Sequence, residues 1–132
     1  EQGFGTVVGP DRRTIAYLDG GDPDGYPVIG LHGTPGCRLS RWPDDSLYIG
    51  AGVRYITTDR AGYGRSDRHR GRSVADEASD VLAVADVLAL SRFSIVGGPV
   101  VALTHSPARR FLAIGLIGSR ASPGSPRWVL TG

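Results

Sequence analysis

Apolar residues in the first hundred positions fall into short runs of two kinds. Residues 5–8 and 14–18 alternate or run apolar at strand length, with Gly9, Pro10 and Asp11 between them as turn material, which predicts a β-hairpin. A loop follows at 19–26, where three glycines and three aspartates surround Pro23. Residues 27–31, Pro-Val-Ile-Gly-Leu, are continuously apolar instead of alternating, the pattern of a parallel strand covered on both faces. Leu39, Trp42, Leu47, Tyr48 and Ile49 offer a helix face over 38–51, interrupted by Pro43. Residues 53–58 are β-branched and aromatic and predict a strand. Ser73 is placed to cap a helix over about 74–90, with Asp76 and Glu77 opposing the macrodipole and Val81, Leu82, Val84, Ala85 and Leu88 on one stripe. A last apolar run at 93–96 ends in Gly97 and Gly98. The order hairpin, β, α, β, α, β implies an α/β sheet.

Length and charge refine this picture. A chain of 132 residues is one domain by ordinary size, and a net charge of +2 points to no particular partner. The distribution is uneven. All 13 acidic residues lie in 1–98 with 11 arginines, giving −2, whereas 99–132 hold four arginines and no acid, giving +4. Cys37 is the only cysteine, so no intrachain disulfide forms, and the reading is a small hydrophobe in a reducing compartment. No apolar stretch is long enough to cross a bilayer and the N-terminus has no signal pattern, so the expectation is a cytoplasmic protein without membrane contact. Lysine, asparagine and methionine are absent while Gly, Ala, Pro and Arg abound, the signature of GC-rich coding DNA.

Two motifs carry the chemistry. His32-Gly33-Thr34-Pro35-Gly36 follows the strand at 27–31, and Asp59-Arg60-Ala61-Gly62-Tyr63-Gly64-Arg65-Ser66 follows the strand at 53–58. Either alone is weak; both, at the ends of successive strands and ahead of a strand ending in Gly-Gly, resemble the α/β-hydrolase superfamily of the serine esterase type. The resemblance covers residues 1–98. It implies a partial α/β-hydrolase three-layer sandwich, a hairpin followed by parallel β-α-β-α-β, with an incomplete sheet. It also implies that the Thr34 backbone N–H is an oxyanion-hole donor and that Gly33 lets the loop approach substrate. His32, Pro35, Gly36, Asp59, Arg60, Gly62, Tyr63, Gly64 and Ser66 are then loop-shaping residues. A donor fixed where charge develops on a carbonyl oxygen is what acyl transfer needs, and a tight turn after a rigid strand supplies one. His69, among Arg68, Arg70 and Arg72, reads as solvated surface.

The resemblance stops at Gly98. A nucleophile elbow, G-x-S-x-G, would place serine next, but Pro99 stands there. Proline fixes φ near about −65°, where the elbow needs a strained positive φ. Val100 stands where glycine is needed for close packing, and no acid and base of a triad follow; His105 and Ser106 are adjacent without thereby forming a pair. No catalytic residue is intact. Spelling residues 99–106 in GC-rich codons gives CCG GTG GTG GCC CTC ACG CAC TCG, and restoring one T in front regroups it to Ser-Gly-Gly-Gly-Pro-His-Ala-Leu, which completes the elbow after Gly97-Gly98. Residues 99–132 therefore read as an out-of-frame tail. Within it, residues 111–117 are apolar enough to cover the edge of the strand at 93–96, as a strand or short helix.

The expected parent is a cofactor-free, metal-free serine hydrolase acting on a small ester-like substrate, and the chain as it stands is expected to be a truncated, inactive form. The alternative is a non-catalytic small binding or interaction protein built on half a hydrolase sheet. A third reading, anion or nucleic-acid contact through the arginines of 65–72 and the basic tail, is the weakest; no nucleic acid is expected. The sequence leaves the oligomeric state open.

Overall fold

The computed structural model describes residues 3–73, 76–97 and 111–115. The hairpin is β1 (Phe4–Val8) and β2 (Thr14–Gly21), antiparallel from Phe4↔Leu18 to Val8↔Thr14. Gly9 N–H donates to the Arg13 carbonyl, and Arg12, at φ 66°, takes the left-handed position that a three-residue hairpin loop requires. Strand β2 runs past the predicted boundary because Asp19, Gly20 and Gly21 pair antiparallel with Ile56, Tyr55 and Arg54.

Four parallel strands complete the sheet: β3 (Tyr26–Leu31), β4 (Val53–Thr58), β5 (Phe93–Gly97) and β6 (Phe111–Gly115), in the order β1-β2-β4-β3-β5-β6. The chain leaves β3 for β4 on one side and then crosses back to β5 on the other. Such a reversal opens a crevice beyond the carboxyl ends of the strands, here those of β3 and β5. The tail segment expected to cover β5 does so as a strand, β6, so β5 is not an edge of this sheet.

Alternation assigns the two faces. Ile15, Ile29, Leu31, Ile56, Phe93 and Ile95 are buried on one face against Val81, Val84 and Ala85 of α2 (Glu77–Val87). On the other face Tyr55 stacks on Tyr48 of α1 (Ser46–Gly50), centroids 4.7 Å apart, with the Arg41 guanidinium 4.9 Å from the Tyr55 ring. Two helical layers about one sheet give the expected three-layer arrangement.

Both helices are shorter than their patterns predict. The helix expected over 38–51 is confined to Ser46–Gly50. Ahead of it, Pro43 has no N–H, the Ser40 N–H turns back to the Cys37 carbonyl, and the Asp44 carboxylate takes the Ser46 N–H at 2.9 Å. Helix α2 starts at Glu77, and Ser73 is not a side-chain cap. Its N–H and hydroxyl instead donate to the Asp76 carboxylate at 2.7 and 3.2 Å. The helix ends at Val87 in a Schellman turn, with Leu90 N–H on the Ala85 carbonyl, Ala89 N–H on the Asp86 carbonyl and Ala89 at φ 54°. Leu90, beyond the turn, is buried.

Candidate active site

The loops after β3 and β4 meet at the carboxyl end of the sheet and hold each other. His32, buried at the exit of β3, shares Nδ1 with the Gly33 carbonyl at 2.7 Å and accepts the Arg60 N–H at Nε2, 3.0 Å away. Those two bonds select the neutral tautomer with hydrogen on Nδ1. The imidazole also meets the Tyr63 ring edge-on at 5.2 Å. His32 is thus a fully engaged member of the loop.

Asp59 organises the second loop. It is buried, accepts the Arg38 N–H at 2.6 Å and the Arg38 guanidinium at 2.7 Å, and accepts the Arg65 N–H at 2.8 Å. Gly64, at φ 51°, has to be glycine because a Cβ there would fall on the Asp59 carboxylate. Ser66 donates its hydroxyl to the Asp59 carbonyl at 2.6 Å and accepts the Ala16 N–H at 2.9 Å, which ties the loop to β2. Gly62, at φ 83°, donates its N–H to the Asp67 carbonyl at 3.1 Å.

Thr34 is exposed at the rim, its hydroxyl 3.3 Å from the Tyr63 hydroxyl and 3.5 Å from Arg60 Nη1. Among the described residues nothing accepts the Thr34 backbone N–H. Gly33 is open on its Cβ side with no atom within 4 Å, and the Thr34–Pro35 peptide is cis. A Cβ on Gly36 would lie 2.8 Å from the Gly33 carbonyl oxygen, so Gly36 closes the turn. Strand β5 reaches the same end, where a Cβ on Gly97 would press on the Leu31 backbone. The nucleophile position, Pro99, lies outside the described residues, as do His105 and Ser106.

Sequence reasoning missed three partners here: Arg38 on Asp59, and the pair Glu77 and Arg72 behind Arg60. Glu77 is 1% exposed and accepts from both arginines, at 3.1 and 2.8 Å. Its position four residues before Val81, on the apolar stripe of α2, was the signal available. His69 is also not simple surface: it is half-buried, and its Nδ1 is buried without a partner among the described residues. Nearby, Arg13 bridges Asp11 and Asp80 at 2.6 Å each; burial pushes the Asp80 carboxyl up, against the lowering effect of the Arg13 hydrogen bond. A groove of 560 Å³ lined by Asp19, Gly21, Asp45, Ile49 and Arg54, among others, lies at the opposite end of the sheet from these loops. Among the described residues no cluster of His, Cys, Asp and Glu is placed to hold a metal ion, and no helix is long and apolar enough to cross a membrane.

Known proteins resemble this chain in sequence and in fold. A non-heme chloroperoxidase from Streptomyces lividans is 39% identical over 89 residues, 66% of this chain and 32% of that protein. A proline iminopeptidase from Xanthomonas citri is 31% identical over 101 residues, 71% of this chain and 31% of that protein. The crystal structure of an esterase from Exiguobacterium antarcticum superposes with a TM-score of 0.71 at 27% identity, over 88% of this chain and 44% of that one. The N-terminal part of this chain belongs to the α/β-hydrolase superfamily. No protein-family model matches the chain. It spans about a third of the length of the curated relatives it matches. Among the described residues of this α/β-hydrolase-type fold, the His32 and Asp59 loops meet at the carboxyl end of the sheet.

Proposed function

We propose that this chain carries the oxyanion side of a cofactor-free serine hydrolase of ester or similar bonds, and that residues 99–132 are read out of frame, leaving it without turnover. The observation that supports this best is Thr34: its backbone N–H has no acceptor among the described residues, its side chain is held by Tyr63 and Arg60, and it stands at the end of the sheet that β5 also reaches. In the parent, a serine after Gly97-Gly98 attacks the acyl carbon and passes its proton to a histidine, and the alcohol leaves with that proton. Water then releases the acid. The negative charge on the carbonyl oxygen is met by the Thr34 N–H.

The coding DNA from Val96 to Thr104 tests the frame. It is expected to spell Gly-Gly-Ser-Gly-Gly once one base is restored, and codons incompatible with that reading overturn the frame assignment. The chain itself is expected to hydrolyse p-nitrophenyl acetate only at a background that survives Ser94→Ala, His105→Ala and Ser106→Ala. Restoring the frame together with a downstream acid and base brings back turnover, whereas Pro99→Ser alone does not, because no base then takes the serine proton. Turnover by the purified chain that Thr34→Pro abolishes refutes this account.

One observation favours a second reading, a non-catalytic binding protein. Leu39, Trp42, Leu47 and Ile49 are each more than half exposed on the α1 side. Saturable capture of a ligand by the chain, lost in Trp42→Ala, would support it over the hydrolase reading.

A further inference from the structure

Both ends of the segment 60–72 are tied to one carboxylate oxygen. Arg60 Nε and Arg72 Nη1 donate to Oε2 of Glu77, at 3.1 and 2.8 Å, and the three side chains are 11%, 20% and 1% exposed. Glu77 belongs to the first turn of α2, whose next turns pack into the core through Val81 and Val84, so this anchor is rigid. Arg60 extends the anchor to the neighbouring loop. Its N–H meets His32 Nε2 at 3.0 Å and its Nη1 faces Thr34 Oγ1 at 3.5 Å. Because Arg72 shares the carboxylate, Glu77 holds Arg60 through Nε and leaves the Nη1 edge turned toward Thr34.

For an exposed loop residue whose N–H has no acceptor among the described residues, the contacts of its side chain contribute to where that N–H stands. Among the described residues the grips on Thr34 are Tyr63, whose ring rests edge-on against buried His32, and Arg60, which alone of the two is ion-paired to a buried carboxylate, that of Glu77. The planar fork of arginine makes this geometry available, since Nε and Nη1 point to two partners at once, which a lysine ammonium on a flexible stem does not reproduce.

We propose that Arg60 is a positioning residue for Thr34, with Glu77 and Arg72 as its anchor, so that the Arg60–Glu77 ion pair sets where the Thr34 N–H stands. The proposal rests on Thr34 being the oxyanion donor and adds the device that aims it. A purely structural ion pair stabilises the fold without affecting Thr34. Arg13–Asp80 is such a pair, tying the hairpin to the same helix at 2.6 Å, and serves as the control.

The test is NMR on the ¹⁵N-labelled full chain, reading the Thr34 amide. Arg60→Gln and Glu77→Gln are expected to displace the Thr34 resonance and lower its order parameter from a rigid value of about 0.85 toward about 0.6. Arg60→Lys falls between Arg60→Gln and the parent, and is the variant read if Arg60→Gln does not fold. Arg13→Gln lowers the melting temperature and leaves Thr34 in place. A Thr34 amide that moves no further in Arg60→Gln, Arg60→Lys and Glu77→Gln than in Arg13→Gln overturns the proposal. The reading needs no turnover, so it can fail while the frame-restored enzyme hydrolyses esters, and hold where that enzyme does not.

Discussion

Replacing Asp59 by asparagine keeps the shape of the side chain and removes its charge, which isolates the electrostatic part of the loop after β4. In the native chain Oδ1 accepts the Arg38 N–H at 2.6 Å, while Oδ2 accepts the Arg38 guanidinium at 2.7 Å and the Arg65 N–H at 2.8 Å. An amide has one acceptor oxygen. Its better orientation keeps oxygen at the Oδ2 position and turns an NH₂ against the Arg38 N–H, so one bond becomes a donor–donor contact and the buried Arg38 guanidinium loses the Asp59 charge beside it. With the side chains 6% and 0% exposed, solvent cannot repair the loss. Removing one partner from a buried pair costs about 3–5 kcal/mol, against about 5–15 kcal/mol for a whole domain. Urea unfolding followed by circular dichroism reads it: with a slope of about 1–3 kcal/mol/M, the midpoint falls by about 1–5 M. Adding Arg38→Met to Asp59→Leu removes both charges and is expected to cost less than Asp59→Asn alone. An Asp59→Asn midpoint within about 0.3 M of the parent refutes the reasoning, since a 1 kcal/mol loss would already exceed it.

Two further outcomes follow from local geometry. Ala89 sits at φ 54° in the Schellman turn of α2, where an L-residue costs about 1–2 kcal/mol; Ala89→Gly is expected to raise the melting temperature by about 2–6 °C after the added entropy of the unfolded chain is subtracted, and an unchanged or lower value contradicts the turn assignment. The Ser73 backbone N–H holds the exposed Asp76 carboxyl below its ordinary 3.8, so its contribution is present above that value and is lost as pH falls through the lower, folded one. Asp76→Asn is therefore destabilising near neutrality, and its melting-temperature deficit should close on acidification. A deficit that widens instead shows the sign to be wrong. Asp80, pushed up by burial, works in the opposite sense, which is why the comparison is between variant and parent at each pH.

Strand positions were legible because they depend on local pattern: the runs at 5–8, 14–18, 27–31, 53–58 and 93–96 all lie within observed strands. Boundaries set by pairing were not. Asp19-Gly20-Gly21 reads as loop by composition, yet becomes strand because Arg54 on β4 meets Asp19 through two bonds, at 2.6 and 3.0 Å, and the two glycines let β2 pass close to Tyr48 and Asp45. The 38–51 pattern failed for a related reason. Arg38 and Arg41, polar positions in a helical reading, turn inward to Asp59 and to the Tyr48–Tyr55 stack, and no periodicity rule credits an arginine with burial.

At the site, the two motifs could be read because glycine and proline at fixed offsets leave few backbone choices. Their mutual grip could not, since it depends on contacts between residues separated by 17 to 29 positions: the Arg60 side chain with Glu77, the Arg60 N–H with His32, Tyr63 with Thr34. An acid on the apolar stripe of a helix is the one trace such a contact leaves in sequence, because a side chain as deep as that of Glu77 needs hydrogen-bonding partners, here Arg60 and Arg72. Among the described residues, the side-chain contacts to Thr34 come from Arg60 and Tyr63, and Arg60 is anchored by Glu77, which Arg72 also meets, all within residues 3–97. On the proposed reading, the Thr34 side of the site assembles from residues that precede Gly98, so the donor loop is preformed independently of the frame that follows.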